Sequence, residues 1–375
     1  MRTTPFPSPA GGSPRASFPL IAYIFLVIGL VVLVLAGDLL VRGSVAIALK
    51  LGIPTLVIGL TIVAFGTSAP ELVISLSAAL SGAPGIALGN VVGSNIANIL
   101  LVLGLPSIIY ATRCDQHLLL RNTVFMLIGT VAFIALAFTT PLHVWQGTIL
   151  VALMIAFLWA SAARARFDMN AAAFADVSAS ASPDTGSAQS SSHEGEPVES
   201  GAPEGDVPSN PGPEPDVPTP PSGRMLISVV MVIAGLIGLP LGAHLAVTGA
   251  REIALEWGMS DAAVGLTVVA VGTSLPELAA TTMAALRRES AIAVGNVIGS
   301  NIFNLLAIMG ITALAAPVPV SPTVLHVDIW VMFAASLAIV PFVYWRLRIG
   351  KLAGLAFLLI YFAYVAMVVG ERSVS

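Results

Sequence analysis

Two glutamates, Glu71 and Glu277, lie deep inside otherwise apolar stretches, and near-copies of one segment carry them: Gly-Thr-Ser-Ala-Pro-Glu at 66–71 and Gly-Thr-Ser-Leu-Pro-Glu at 272–277. A carboxylate within a membrane costs several kcal/mol unless it is paired or liganded. No Lys or Arg lies in a neighbouring apolar core to pair with these two. Two symmetry-related acids therefore point to one shared cation site. Thr67, Ser68 and Glu71 fall within about one helical turn, as do Thr273, Ser274 and Glu277, so several oxygens can share a face. Gly66 and Pro70, like Gly272 and Pro276, weaken the helix in mid-membrane, because proline has no N–H and frees a carbonyl to act as a ligand.

A second segment, Gly-Asn-Val-Val-Gly-Ser-Asn-Ile-Ala-Asn at 89–98, recurs as Gly-Asn-Val-Ile-Gly-Ser-Asn-Ile-Phe-Asn at 295–304. It places Ser94 with Asn98, and Ser300 with Asn304, at i,i+4 on one helical face. Carboxylates, hydroxyls, amides and carbonyls without clustered His or Cys favour a hard cation over zinc or copper. Calcium takes roughly six to eight oxygens, and two carboxylates would neutralise it. Sodium or protons can compete at the same glutamates. An empty charged site is too costly to reorient through a dry barrier, and that is a physical basis for exchange.

The elements that must position these residues are membrane spans. The chain is 57% hydrophobic and only 10% charged, with a mean hydropathy of +0.94; soluble domains carry roughly a quarter charged residues. Apolar runs long enough to cross hydrocarbon as helix fall near 19–41, 54–79, 85–110, 118–138, 143–163, 225–249, 261–285, 291–315, 323–345 and 351–370, which predicts ten spans. Residues 59–104 align without gaps to 265–310 at a constant offset of 206, with more than half the positions identical. Five spans separate equivalent positions, so the second copy enters the membrane from the other side. Inverted repeats of this kind place substrate at their interface near the midplane and support alternating access.

Twelve of the 16 Lys and Arg fall in loops after spans 1, 3, 5, 7 and 9. The positive-inside rule then puts both termini outside. Residues 167–223 hold ten acidic residues and no Lys or Arg, and read as a disordered acidic linker on the cytoplasmic side. The expected organisation is a disordered tail at 1–18, a five-helix repeat at 19–166, the linker, and a second five-helix repeat at 224–375. The first span is too long for a signal-peptide core and belongs to the repeat, so it is expected to be retained. A single cysteine, Cys114, excludes a disulfide within the chain.

The paired GTSxPEL and GNxxGSNIxN segments resemble the two alpha-repeats of the calcium/cation antiporter superfamily, most closely its prokaryotic sodium/calcium exchanger branch. The resemblance covers all ten spans in layout and both repeats in sequence. It implies an all-α membrane protein of ten transmembrane helices in two inverted five-helix repeats. It also implies a secondary antiporter exchanging calcium for sodium in the cell (inner) membrane by alternating access, with no enzymatic activity and no cofactor. Carried over, it makes Glu71 and Glu277 the central ligands, with Ser68, Ser274, Ser94, Ser300, Asn98 and Asn304 around them. Thr67 and Thr273 with the carbonyls of Ala64 and Ala270 would complete flanking sodium sites. Asn90 and Asn296 suit helix breaks or interhelical hydrogen bonds. Spans 1 and 6 are candidates for a pair that slides across spans 2, 3, 7 and 8.

Some relatives, including potassium-dependent exchangers, carry Asp at the position of Asn304; Asn in both halves argues against potassium cotransport. The proton-coupled branch builds its first motif around GNxxE, so GTSxPE favours sodium, with protons as the alternative driving ion. A cation channel would present an open ring rather than two buried acids. A carrier of anions would offer basic residues in its core, and a hydrolase would need further catalytic groups. Calcium, sodium and the lipid bilayer are the expected partners, with no nucleic acid or protein partner. Asp38 reads as a local i,i+4 partner of Arg42, Asp328 and His326 as interfacial, and Trp145, Trp330, Tyr344 and Trp345 as interface anchors.

Overall fold

A computed structural model describes residues 19–116, 118–180, 225–258 and 270–374, and these are almost wholly helical. Lipid offers no partner for an unpaired backbone N–H or C=O, so long apolar runs must satisfy their own backbone as helix. Among the described residues eight helices are long and apolar enough to cross a bilayer, and the bent pair Thr55–Thr67 plus Ala69–Leu80 makes a ninth. They coincide with predicted spans 1 to 6 and 8 to 10. The start of span 7, 261–269, lies outside the described residues, and from there the span continues as Ala270–Thr273 and Leu275–Leu286.

Span 3 (Pro84–Ala97 and onward to Ile109) and span 8 (Ser290–Ile302 and onward to Ala315) are the most buried and form the centre. Span 1 (Pro19–Leu51), span 6 (Met225–Glu256) and span 10 (Lys351–Val374) turn Leu20, Val31, Leu226, Ile237, Leu352 and Leu359 outward, as lipid requires. Spans 1 and 6 run against each other, Gly235 and Gly242 lying over Ala36, Leu40 and Leu33.

The repeats are interleaved rather than side by side. Gly147 of span 5 packs on Gly310 of span 8, and Gly354 of span 10 packs on Gly104 of span 3, so each repeat's last span braces the other's centre. Loops that charge assigns to one membrane face also meet. The strands β1 (Thr112–Arg113) and β2 (Arg348–Ile349) pair antiparallel and join the loops after spans 3 and 9, while Leu142 and Val318 bridge those after spans 4 and 8. Arg113 N–H donates to Ser290 Oγ at 3.2 Å and Val320 N–H to Thr140 Oγ1 at 2.8 Å, again linking odd with odd and even with even. Cys114 is buried beside β1, and burial, with the nearby Asp115 charge, pushes its thiol up to about 12.

Three local expectations change. The helix of span 5 does not stop at 166 but runs from Val144 to Ser180, because Ala-rich sequence at 171–175 sustains helix beyond the membrane. The rest of the linker and the tail 1–18 lie outside the described residues. Asp38 does pair with Arg42, at 3.0 Å, but also with Arg287 at the end of span 7, a contact 249 residues away that local spacing cannot reveal. Asp328, at the start of span 9, is only 8% exposed and accepts a hydrogen bond from Tyr364 of span 10 at 2.8 Å, so it faces protein rather than water there.

Candidate functional site

The helix of span 2 breaks where its sequence weakens it. Ala64–Thr67 ends at Ser68, whose φ of −87° and ψ of 3° leave the helical region, and the chain restarts as Ala69–Leu80 at a bend of 43°. Ser274 repeats this break with φ −89° and ψ 4°. Backbone of this kind is sparsely populated and is found at many active sites. Pro70 and Pro276 sit in the first turn of the restarted half-helices, where a missing N–H costs nothing. They leave the Gly66 and Gly272 carbonyls without an i+4 donor. Glu71 and Glu277 follow in those first turns, at the positive end of each half-helix dipole.

Both carboxylates are 1% exposed. Hydrogen bonds join the repeats around them. Ser68 Oγ donates to Glu277 Oε1 at 2.9 Å, Thr67 Oγ1 to Asn296 Oδ1 at 3.2 Å, and Asn98 Nδ2 to Asn301 Oδ1 at 3.0 Å. Asn296 is the brace on its side, its Nδ2 donating to Thr281 Oγ1 at 3.0 Å and the Glu277 carbonyl at 3.5 Å. Asn90 does the same in the first repeat, reaching Ser75 Oγ at 2.9 Å and the Glu71 carbonyl at 3.4 Å. Each thus fixes the backbone of its glutamate, the interhelical role expected of it.

The remaining buried acceptors have no protein partner. Among them are both oxygens of Glu71, Oε2 of Glu277, Oδ1 of Asn98, Oγ of Ser300 and Oδ1 of Asn304, drawn from spans 2, 3, 7 and 8, together with Oδ1 of Asn95 on span 3 and Oγ of Ser44 on span 1. Buried polar atoms are nearly always hydrogen-bonded, so a cluster of orphaned oxygens fits a cation. Among the described residues no three His, Cys, Asp or Glu converge, and a cation would find two carboxylates among neutral oxygens. Asn98 opens a π-helical turn, Asn98–Val102, and Asn304 lies in another, Phe303–Ile308; such turns are frequent at functional sites.

Of the other expected ligands, Ser94, Ser274 and Thr67 are buried, whereas Thr273 is half-buried and Ala270 begins the described part of span 7. The Ala64 carbonyl already accepts from the Ser68 N–H at 3.0 Å and from Thr67 Oγ1 at 3.3 Å. It serves a flanking ion only by giving one of these up. Sequence reasoning passed over Asn301 and Asn95, and Ser75 with Thr281. The signal was present: all four recur at the 206-residue offset.

A sequence model of the family described as sodium/calcium exchanger protein matches residues 21–163 and 227–370. The chain is 33% identical over 338 residues to the putative antiporter CaxA of Alkalimonas amylolytica, covering 89% of this chain and 92% of that one. It is 33% identical over 372 residues to the sodium/calcium exchanger MaX1 of Methanosarcina acetivorans, covering 92% and 97%. Among solved structures, the sodium-calcium exchanger NCX_Mj superimposes with a TM-score of 0.71 at 30% identity, covering 92% of this chain and 98% of that one.

Proposed function

The chain belongs to the sodium/calcium exchanger protein family, and we propose that within it this multi-pass cation antiporter exchanges calcium for sodium by alternating access to one site shared by Glu71 and Glu277. The family is one of transporters, its cargo ions and not cofactors. The observation behind the reading is the set of orphaned acceptor oxygens at the break of spans 2 and 7 and on spans 3 and 8, contributed by both repeats and including oxygens of two carboxylates. That oxygen-only chemistry suits calcium, whose charge two carboxylates balance. Hydroxyls of Thr67 and Thr273 with the carbonyls of Ala64 and Ala270 supply flanking positions for sodium, while Ser68, Ser274, Ser94, Ser300, Asn98 and Asn304 complete the inner set. Spans 1 and 6, meeting along small residues, are the pair that slides across the core.

The test is calcium uptake into vesicles holding purified protein. Uptake is expected to require an opposing sodium gradient and to saturate; uptake driven by a pH gradient alone would replace sodium with protons, and uptake without any counter-ion would refute exchange. The charge pattern favours the cell membrane with both termini outside and the 167–223 linker cytoplasmic. Because the native thiol at Cys114 is buried, single introduced cysteines at either end report that orientation.

Acidification is expected to weaken calcium binding. Each proton on a glutamate removes a ligand and a negative charge, so protons compete with calcium and the apparent Kd rises as pH falls. Calorimetric titrations across the acid range check this, and an affinity that stays flat down to about pH 4, near the ordinary carboxylate range, would contradict it.

A further inference from the structure

The amides of the two repeats are in different states. Asn98 Nδ2 donates across the interface to Asn301 Oδ1 at 3.0 Å, and Asn301 Nδ2 donates onward to the Asn95 carbonyl at 3.4 Å. The 206-residue offset makes Asn304 and Asn95 the mirror image of that pair. There the bond is open. Both side-chain atoms of Asn304 and Oδ1 of Asn95 have no hydrogen-bond partner, and Asn95 Nδ2 turns back to the Val91 carbonyl of its own helix at 2.7 Å. The carboxylates show the same one-sidedness: Ser68 donates to Glu277, while both oxygens of Glu71, the mirror acceptor for Ser274, are unpartnered. All four asparagines are 1% exposed or less.

A side-chain amide presents acceptor or donors to a cation according to how it is turned, and only the oxygen can be a ligand. By occupying Nδ2 of Asn98, Asn301 fixes that choice and leaves Asn98 Oδ1 free. An unpaired buried amide is costly, which marks the open Asn304–Asn95 pair as a bond that belongs to another arrangement. Inverted repeats supply that arrangement, since each can take the conformation the other holds when the site opens to the opposite side.

We propose that Asn301 and Asn95 are positioning residues for the ligand amides of Asn98 and Asn304, and that the two cross-repeat pairs are made in alternation, one in each access state. This rests on the exchange mechanism proposed above. Each residue then serves the cation on one side of the membrane only, and acts through its partner.

The test measures calcium-dependent exchange on right-side-out and inside-out vesicles, beside calorimetric calcium titration of the same purified variants. Asn301→Ala is expected to raise the apparent KM for calcium about tenfold at one face and leave the maximal rate nearly unchanged; Asn95→Ala is expected to do so at the other face. Because each acts through a partner, adding Asn301→Ala to Asn98→Ala, or Asn95→Ala to Asn304→Ala, is expected to cost nothing further. Asn301→Asp keeps the acceptor for Asn98 and is expected to hold KM at or below the parental value, and this variant decides the matter if the alanine does not fold. Equal effects at both faces, additive double variants, no effect at either face, or a raised KM in Asn301→Asp would each overturn the proposal. Wild-type protein that binds calcium but exchanges it for no counter-ion would fail the exchange reading alone. The Asn98/Asn301 cycle in calorimetry would still decide the positioning role, with additivity counting against it.

Discussion

Replacing Glu277 with glutamine is expected to abolish sodium-dependent calcium exchange while leaving the protein folded. The glutamine keeps the shape of the side chain and an oxygen for the Ser68 hydroxyl, which now donates to Glu277 Oε1 at 2.9 Å. What changes is the other atom: Oε2, a buried acceptor without a protein partner, becomes an amide NH2 that can only donate. A cation then loses one of two balancing charges and meets a donor in its place. Removing one partner of a buried ionic contact costs about 3–5 kcal/mol, which is a hundredfold or more in affinity. The cation-free protein, in contrast, no longer has to bury that charge, so its melting temperature in detergent is expected to hold or rise. The two readouts separate binding from folding, because calcium stabilises only a state that binds it. Glu71→Gln should behave alike, since both Glu71 oxygens are orphaned and its backbone is braced by Asn90. Either variant exchanging calcium at the parental rate would remove the glutamates from the site.

Much of this was legible because the site is duplicated. The GTSxPE copies placed Glu71 and Glu277 at equivalent depth, and Pro70 and Pro276 announced breaks that the backbone makes at Ser68 and Ser274. Charge placement sorted the loops into faces, and contacts such as Arg113 with Ser290 join loops of one sorted set. The expectation of sodium rather than protons as the driving ion rests on motif wording and family likeness, not on any property of the oxygens. Other features were hidden for identifiable reasons. Periodicity reports faces, not partners, so the Asn98–Asn301 bond and the Asp38–Arg287 pair, both joining distant segments, left no local trace. The repeat also argues for symmetry where the molecule is asymmetric: equal sequences gave no sign that Ser68 engages a glutamate while Glu71 accepts nothing, or that Thr67 is buried and Thr273 half-exposed. A sequence carries two equivalent halves; one conformation must break the tie.

The close fit of span 8 on span 2 gives the second large expectation, a loss of both stability and exchange in Gly299→Val. A Cβ at Gly299 would stand 2.6 Å from the Leu60 carbonyl oxygen and 2.7 Å from the Ala64 Cβ. Neither can yield as a long side chain would: one is backbone of the π-helical turn Gly59–Val63, the other the first atom of a buried alanine one turn before Ser68. The helices must therefore part. Span 8 carries Asn296 and Ser300 in Ser290–Ile302 and Asn304 in the π-helical turn that continues it, so parting them from span 2 stretches the 3.2 Å bond from Thr67 to Asn296 and shifts the Ser300 and Asn304 oxygens relative to the break at Ser68. Overpacking of this kind costs about 1–3 kcal/mol and occasionally more, visible as a lower melting temperature in detergent. Calcium should restore little of it, because the ion would now find its ligands too far apart. Gly350→Ala is the control, since among the described residues no atom lies within 4 Å of a Cβ there. Gly299→Val that melts and exchanges like the parent would mean that spans 2 and 8 do not meet at this distance, and the shared site built on their contact would fall with it.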